Sequence, residues 1–251
     1  MVGLVAPKIG YKRGYAVAIL IGLTENSAVV WRVYSHVVKP ETTVQLGGSR
    51  NNPKAIYNFH EAIVNALRGI LREGVRSIIL VSPPRTTYAT EYVDHLRKHQ
   101  AWLTQSAGHA TFMQMSGSAL THSDVIGLAK NPIFHKLIQD ATSQESENLL
   151  SLLEKRLAGA DGRDVVLYPI EEVEDAIYVS RSDVCPEFLL LTDDYLAKSR
   201  HKGRINRLMQ IAANKKIKTR VVDSKSHVGK RLSQLGGIVC LAKKGQPTTS
   251  T

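Results

Sequence analysis

The loop Gly47-Gly48-Ser49-Arg50-Asn51-Asn52 is the place in this chain where chemistry is easiest to imagine. Tandem glycines let backbone amides approach another molecule closely, and the arginine beside them offers a planar partner for a phosphate. Gln45 lies just before the glycines. A glutamine there can position water or a substrate end, but it is no strong base. The plainer reading of the same loop is a strand-to-helix connection. His95 and His99 have the spacing of a metal-binding helix, but Leu96-Arg97-Lys98 lies between them. Two cations there, with no glutamate, disfavour a metal ion, and two surface histidines are expected instead. Val228-Gly229-Lys230-Arg231 lacks the leading glycine and the Ser/Thr of a phosphate loop, and no glycine-flanked nucleophilic serine is present. Glu171-Glu172 and Asp193-Asp194 read as capping acids at helix starts or turns. His109 is open between a core, a turn and a functional histidine. No metal and no cofactor is expected from these residues.

Charge gives the second signal. The chain has 33 Lys+Arg, 22 Asp+Glu and a formal net charge of +11. Between Lys198 and Arg231 lie Lys198, Arg200, Lys202, Arg204, Arg207, Lys215, Lys216, Lys218, Arg220, Lys225, Lys230 and Arg231. One acid, Asp223, stands against these 12, and the other 21 basic and 21 acidic residues of the chain balance. The excess is therefore local. A solvated basic face is the plain reading of such a block. Its spread over a helix, loops and a strand, almost without acids, points instead to binding RNA or another phosphate polyanion. No aromatic residue lies within it, so recognition of structured RNA by backbone and shape fits better than base stacking.

The elements that must carry these residues are legible in the pattern. Of the 251 residues, 43% are hydrophobic and 22% charged, which excludes a disordered polycation and allows a sizeable core. Residues 15–23, 28–34 and 37–46 read as three strands, with Pro40 marking an edge or a kink. Asn52-Pro53 starts a helix, along which Ile56, Phe59, Ile63, Leu67 and Ile70 form one stripe. Residues 77–81 are a strand buried on both faces, 87–99 a helix, and 119–157 mostly helix with a break at Asn131-Pro132. The small, polar run from Leu157 to Arg163 marks a domain boundary. Beyond it, strands at 165–168, 188–192, 219–223 and 238–242 alternate with helices at 170–180, 205–214 and 229–235, an α/β sandwich. Domains are expected at 1–160 and 161–245, with a disordered tail at 246–251.

Two cysteines, Cys185 and Cys240, make neither a disulfide framework nor a zinc site and are expected to be buried thiols. Lys8, Lys12 and Arg13 ahead of the apolar run 16–23 mimic a signal peptide, but no small-x-small cleavage site follows. The run also falls short of the roughly 20 residues of a membrane span. A cytoplasmic protein with no membrane role is expected.

From Gly229 to Leu241 the segment resembles the C-terminal signature of Pelota and the archaeal and eukaryotic class-1 release factors. There a Gly-x-x-Leu/Phe segment leads into a helix, then Gly-Ile and an apolar strand. Glu171 to Ala176 followed by Phe188 to Asp194, and Ile78 to Pro83, are similar to further elements of that superfamily. The resemblance runs from about residue 14 to 244. It implies a ribonuclease-H-like central domain followed by an α/β/α sandwich of the kink-turn-binding ribosomal-protein type. It also implies ribosome rescue or quality control, with the large subunit, rRNA and tRNA as partners and a recycling ATPase as a further candidate. The superfamily's decoding N-terminal domain has no counterpart in the sequence, so codon recognition is not expected. Release factors carry Gly-Gly-Gln where this chain has Gly47-Gly48-Ser49, which favours a non-catalytic factor. Two other readings stay open: a peptidyl-tRNA hydrolase using a variant loop of Gln45, Gly48 and Arg50, and a stand-alone structured-RNA binder.

Overall fold

Ala16–Leu23 (β1) is buried from Ala18 to Leu23, because it lies in the middle of a sheet and has helices on both faces. In this computed structural model, residues 14–35, 37–105, 109–159, 162–179, 184–199 and 202–245 are described. β1 turns at Thr24, whose hydroxyl bonds the Ser27 carbonyl at 3.1 Å, and pairs antiparallel with Ser27–Tyr34 (β2). β2 pairs antiparallel with Val38–Gln45 (β3). Pro40 sits on this edge strand, opposite a register shift at Val30/Trp31, where its missing N–H is tolerated. Helix Pro53–Arg72 (α1) starts where Asn52 accepts from the amides of Lys54 and Ala55 at 3.0 and 3.4 Å. Ser77–Ser82 (β4) is buried throughout and runs parallel to β1. Tyr88–His99 (α2) and the single turn Ala101–Thr104 (α3) lead to Thr111–Ser116 (β5), parallel to β4. The order is β3-β2-β1-β4-β5.

Alternation along the central strands fills two cores. Ile19, Ile21, Ile78 and Leu80 meet Phe59, Ile63 and Leu67 of α1 and Tyr92 and Leu96 of α2. Ala18, Leu20, Ile79 and Val81 face Val125 of His122–Ala129 (α4) and Phe134 of Pro132–Leu157 (α5).

The second sheet follows. Asp164–Leu167 (β6), Ile170–Tyr178 (α6), Val184–Thr192 (β7), Asp193–Lys198 (α7), Lys202–Asn214 (α8), Lys218–Val222 (β8), His227–Gln234 (α9) and Ile238–Lys244 (β9) give the order β6-β9-β7-β8. One face packs Leu189, Leu191, Ile238 and Cys240 on α6 and α8. The other packs Leu190, Val239 and Leu241 on α9 and on Leu149, Leu150 and Leu153 of α5. This is the expected fold class, a ribonuclease-H-like sheet followed by an α/β/α sandwich. Packing divides within α5 rather than after it: Phe134 belongs to the first sheet's core and Leu153 to the second's. One local expectation needs correction. Cys185 is exposed near the start of β7, and only Cys240 is buried, its thiol pushed up to about 12 by burial. Asp193-Asp194 open a helix as read: they begin α7, capped by the Thr192 hydroxyl at 3.2 Å from the Tyr195 amide.

A buried ion pair ties the sheets together. Glu145 of α5 bonds the Ser77 hydroxyl and accepts from the Arg76 amide at 3.3 Å. Arg220 of β8 meets the same carboxylate at 2.6 and 2.9 Å and donates to the carbonyls of Ala16 and Val17 at 3.0 and 3.1 Å. Nearby, the Thr219 amide donates to the Glu73 carbonyl at 3.1 Å. The chain passes this contact at Gly74 with φ +107°, and a Cβ there would lie 3.1 Å from the Lys218 Cβ.

Candidate functional site

Gln45 ends β3 and is exposed, as are Gly47, Gly48 and Ser49. The loop folds on itself: the Gly48 amide (φ +127°) donates to Leu46 at 3.1 Å, and the Ser49 hydroxyl accepts from the Asn51 amide at 3.2 Å. Arg50 departs from the expected free phosphate partner. Its side chain is only 15% exposed and clamps the loop inward. The guanidinium donates to the Glu25 carbonyl at 3.0 Å and to Glu91 at 2.6 Å, and lies 3.9 Å over the Tyr88 ring. Burial acts to raise the Glu91 carboxyl, but hydrogen bonds from Thr87 and Arg50 outweigh it and hold it below the usual range. The structure thus presents a rigid glycine tip on an arginine-pinned base.

Beneath the loop, α1 and α2 bring together rings that the sequence keeps apart. His60 contacts His95 at 5.0 Å, and His95 contacts His99 at 4.9 Å and Tyr57 at 5.2 Å. His95 Nε2 lies 2.8 Å from Glu61, which also accepts from the Gln100 amide group at 2.8 and 2.9 Å. His60 is buried and its pKa falls to about 4, through burial first and then the neighbouring His95 and Arg50. His99 is exposed as expected, but His95 is mostly covered. Among the described residues no group of three or more His, Cys, Asp or Glu is placed to hold a metal ion. His109 sits 3.3 Å from the Asn148 side-chain amide. The helical spacing pointed to His95 and His99 only; His60 and Glu61 carried no separate signal, since their partners come from another helix.

The basic segment does not form one patch. Arg220 is corrected outright: it is buried, with its guanidinium on Glu145 and two carbonyls, and is closed to RNA. Arg204 grips Glu174 at 2.7 and 2.6 Å and reaches Glu171 at 3.3 Å. Arg231 meets Glu154 at 2.7 Å, Lys198 meets Asp194 at 2.5 Å, and Lys215 donates to the Tyr178 carbonyl at 3.2 Å. Lys218 is half-buried, 4.5 Å over the Phe188 ring. Arg200 lies outside the described residues. Lys202, Arg207, Lys216, Lys225 and Lys230 are exposed and make no ion pair among the described residues. The first three ride on α8 or follow it on one face of the sheet; the last two belong to the α9 region on the other.

The two sheets, their order and the helix between them define a protein built like the central and C-terminal domains of the Pelota and class-1 release-factor superfamily, and the resemblance seen in the sequence stands. Two curated relatives are Pelota homologs. The chain is 29% identical over 133 residues to a Pelota homolog of Hyperthermus butylicus, covering 52% of this chain and 34% of that protein. It is 26% identical over 203 residues to a Pelota homolog of Pyrococcus abyssi, covering 79% and 52%. The chain therefore spans about a third to a half of the curated relatives it matches. Among solved structures it is similar in fold to Saccharomyces cerevisiae Dom34, described as a termination-like factor in RNA quality control that interacts with Hbs1. That likeness has TM-score 0.50 and 23% identity, and covers 98% of this chain and 68% of that one. An archaeal Pelota described as ribosome-bound with ABCE1 gives TM-score 0.50 and 18% identity over 91% and 61%. No family model matches the sequence. No helix among the described residues is long and apolar enough to cross a membrane.

Proposed function

We propose that this chain acts in the cytoplasm as a ribosome-associated factor of translation quality control, without chemistry of its own. The observation that carries the reading is the pairing of the two sheets as in Dom34 and Pelota, backed by similarity in sequence to Pelota homologs. Exposed cations around α8, namely Lys202, Arg207 and Lys216, supply contacts to rRNA phosphates of the large subunit. The Gly47-Gly48-Ser49 tip meets a tRNA acceptor end or rRNA as a shape, with Arg50 holding it from within. The ribosome and Pelota relatives make a recycling ATPase a reasonable further partner.

Co-sedimentation with isolated large subunits tests the reading. Binding should weaken steeply between about 50 and 200 mM salt. Lys202→Glu/Arg207→Glu/Lys216→Glu should weaken it further and flatten that dependence. Unchanged binding by the triple variant would remove α8 from the interface. A parallel assay on peptidyl-tRNA-bearing large subunits should show no peptide release. Release that disappears with Gly48→Ala would establish the hydrolase reading instead.

A further inference from the structure

The sequence places all the charge excess after residue 197, yet the structure gathers cations from the balanced part at the seam between the sheets. Arg68 and Arg72 lie one turn apart at the end of α1, and Arg76 follows in the turn to β4. That turn is pressed on β8, where Lys218 begins the strand. These four cations, with Leu71 and Trp102, line a cavity of about 230 Å³, and no acid lines it. The nearest acids are engaged elsewhere. Glu73 pairs with Arg32 at 2.5 Å, Glu145 with Arg220, and Glu187 with Arg156 and Lys243.

The site is under electrostatic tension. Arg76 Nη1 is buried and has no hydrogen-bond partner, an arrangement proteins avoid unless something supplies an acceptor. Burial, and then the charge of Arg76, push the Lys218 ammonium below its ordinary range. Arg72 is exposed and makes no ion pair among the described residues. Arg68 lies 5.4 Å over the Trp102 ring, whose indole N–H donates to Gln100 at 2.6 Å. Arg68, Arg72, Arg76 and Lys218 around one small space carry the charge to hold the oxygens of a phosphodiester, and the indole beside them gives a flat apolar surface for a ribose or base.

We infer that the seam cavity formed by Arg68, Arg72, Arg76 and Lys218 binds a backbone phosphate of an RNA strand that crosses from one sheet's unit to the other. The inference rests on the ribosomal reading above and names a site that this reading does not need. An RNA held here touches both units at once, so it also fixes their relative placement.

The test uses the full chain and isolated large ribosomal subunits as the probe. Arg72→Glu alone, and Arg72→Glu/Lys218→Met, which removes the ammonium over Phe188 and leaves an apolar side chain of similar length, are compared with the α8 triple variant. Loss of one or two phosphate contacts should weaken binding about tenfold at moderate salt and reduce the salt slope by roughly one to two. Wild-type affinity and slope in both seam variants, with the α8 variant weakened, would overturn the seam site and leave the ribosomal reading intact. No binding by the wild-type chain would remove both. Competition by poly-glutamate as strong as by an RNA homopolymer of equal charge would make the ligand an acidic protein and overturn the assignment to RNA. Should the double variant fail to fold, Arg72→Glu decides, because that side chain is exposed.

Discussion

His60 is the residue whose environment speaks most directly about stability. It is 2% exposed, packed between Phe59, Tyr92 and His95, and its pKa is down to about 4 from 6.5. The unfolded chain therefore binds a proton between these values that the folded one refuses. Stability from neutral His60 is complete above about 6.5 and is lost as pH falls through about 4. The loss should reach on the order of 3 kcal/mol at the lower end, at 1.36 kcal/mol per unit. Urea unfolding of wild type and His60→Leu across this window measures it, and the variant should show a shallower acid-side fall. Persistence of the full wild-type slope in the variant would assign it to other groups. Nothing in the sequence marked His60: one histidine on a helix stripe looks like any other until its neighbours are known. Arg50 was marked, but for the wrong reason. Its closeness to two glycines suggested an outward phosphate contact, whereas Glu25, Tyr88 and Glu91 turn it inward.

Secondary elements were the most legible level. Period and punctuation sufficed for them: Asn52-Pro53 capped α1 as read, and the apolar run from Ile78 to Val81 in β4 is covered on both faces. What stayed hidden were relations between elements. The 12 cations from Lys198 to Arg231 looked nearly unopposed because Glu145, Glu154, Glu171 and Glu174, on earlier helices, neutralise three of them, Arg220, Arg231 and Arg204. The turn between α1 and β4 is another such relation. Gly74 holds a positive φ and leaves room only for backbone against Lys218 and Thr219. Gly74→Ala should destabilise the protein by about 1–3 kcal/mol, through left-handed strain and crowding at the seam. Chemical denaturation reads this directly. A change below about 0.5 kcal/mol, the range of a neutral surface substitution, would mean the seam yields freely.

At the scale of the molecule, the two sheets are joined by the shared helix α5 and by Glu145–Arg220 at its middle. Glu145 is 3% and Arg220 5% exposed, so removing one partner strands the other's charge in the interior. Glu145→Ala should destabilise by about 3–5 kcal/mol. Calorimetry should also resolve two transitions where the wild type gives one, because the seam loses its central contact. A single unshifted transition would show that α5 alone couples the halves. The separation of 75 residues between the partners is why neither looked special in the sequence.

The strand order of the second sheet also bears on how the chain is made. Of the second sheet's four strands β9 is the last to leave a translating ribosome, yet it lies between β6 and β7 and pairs with both. Until it emerges, β6 and β7 have no common partner, and the leucines of α5 that it helps to cover stay open to water. Vectorial synthesis can thus assemble the first sheet early, but the second must wait for the last of its own strands and close around it.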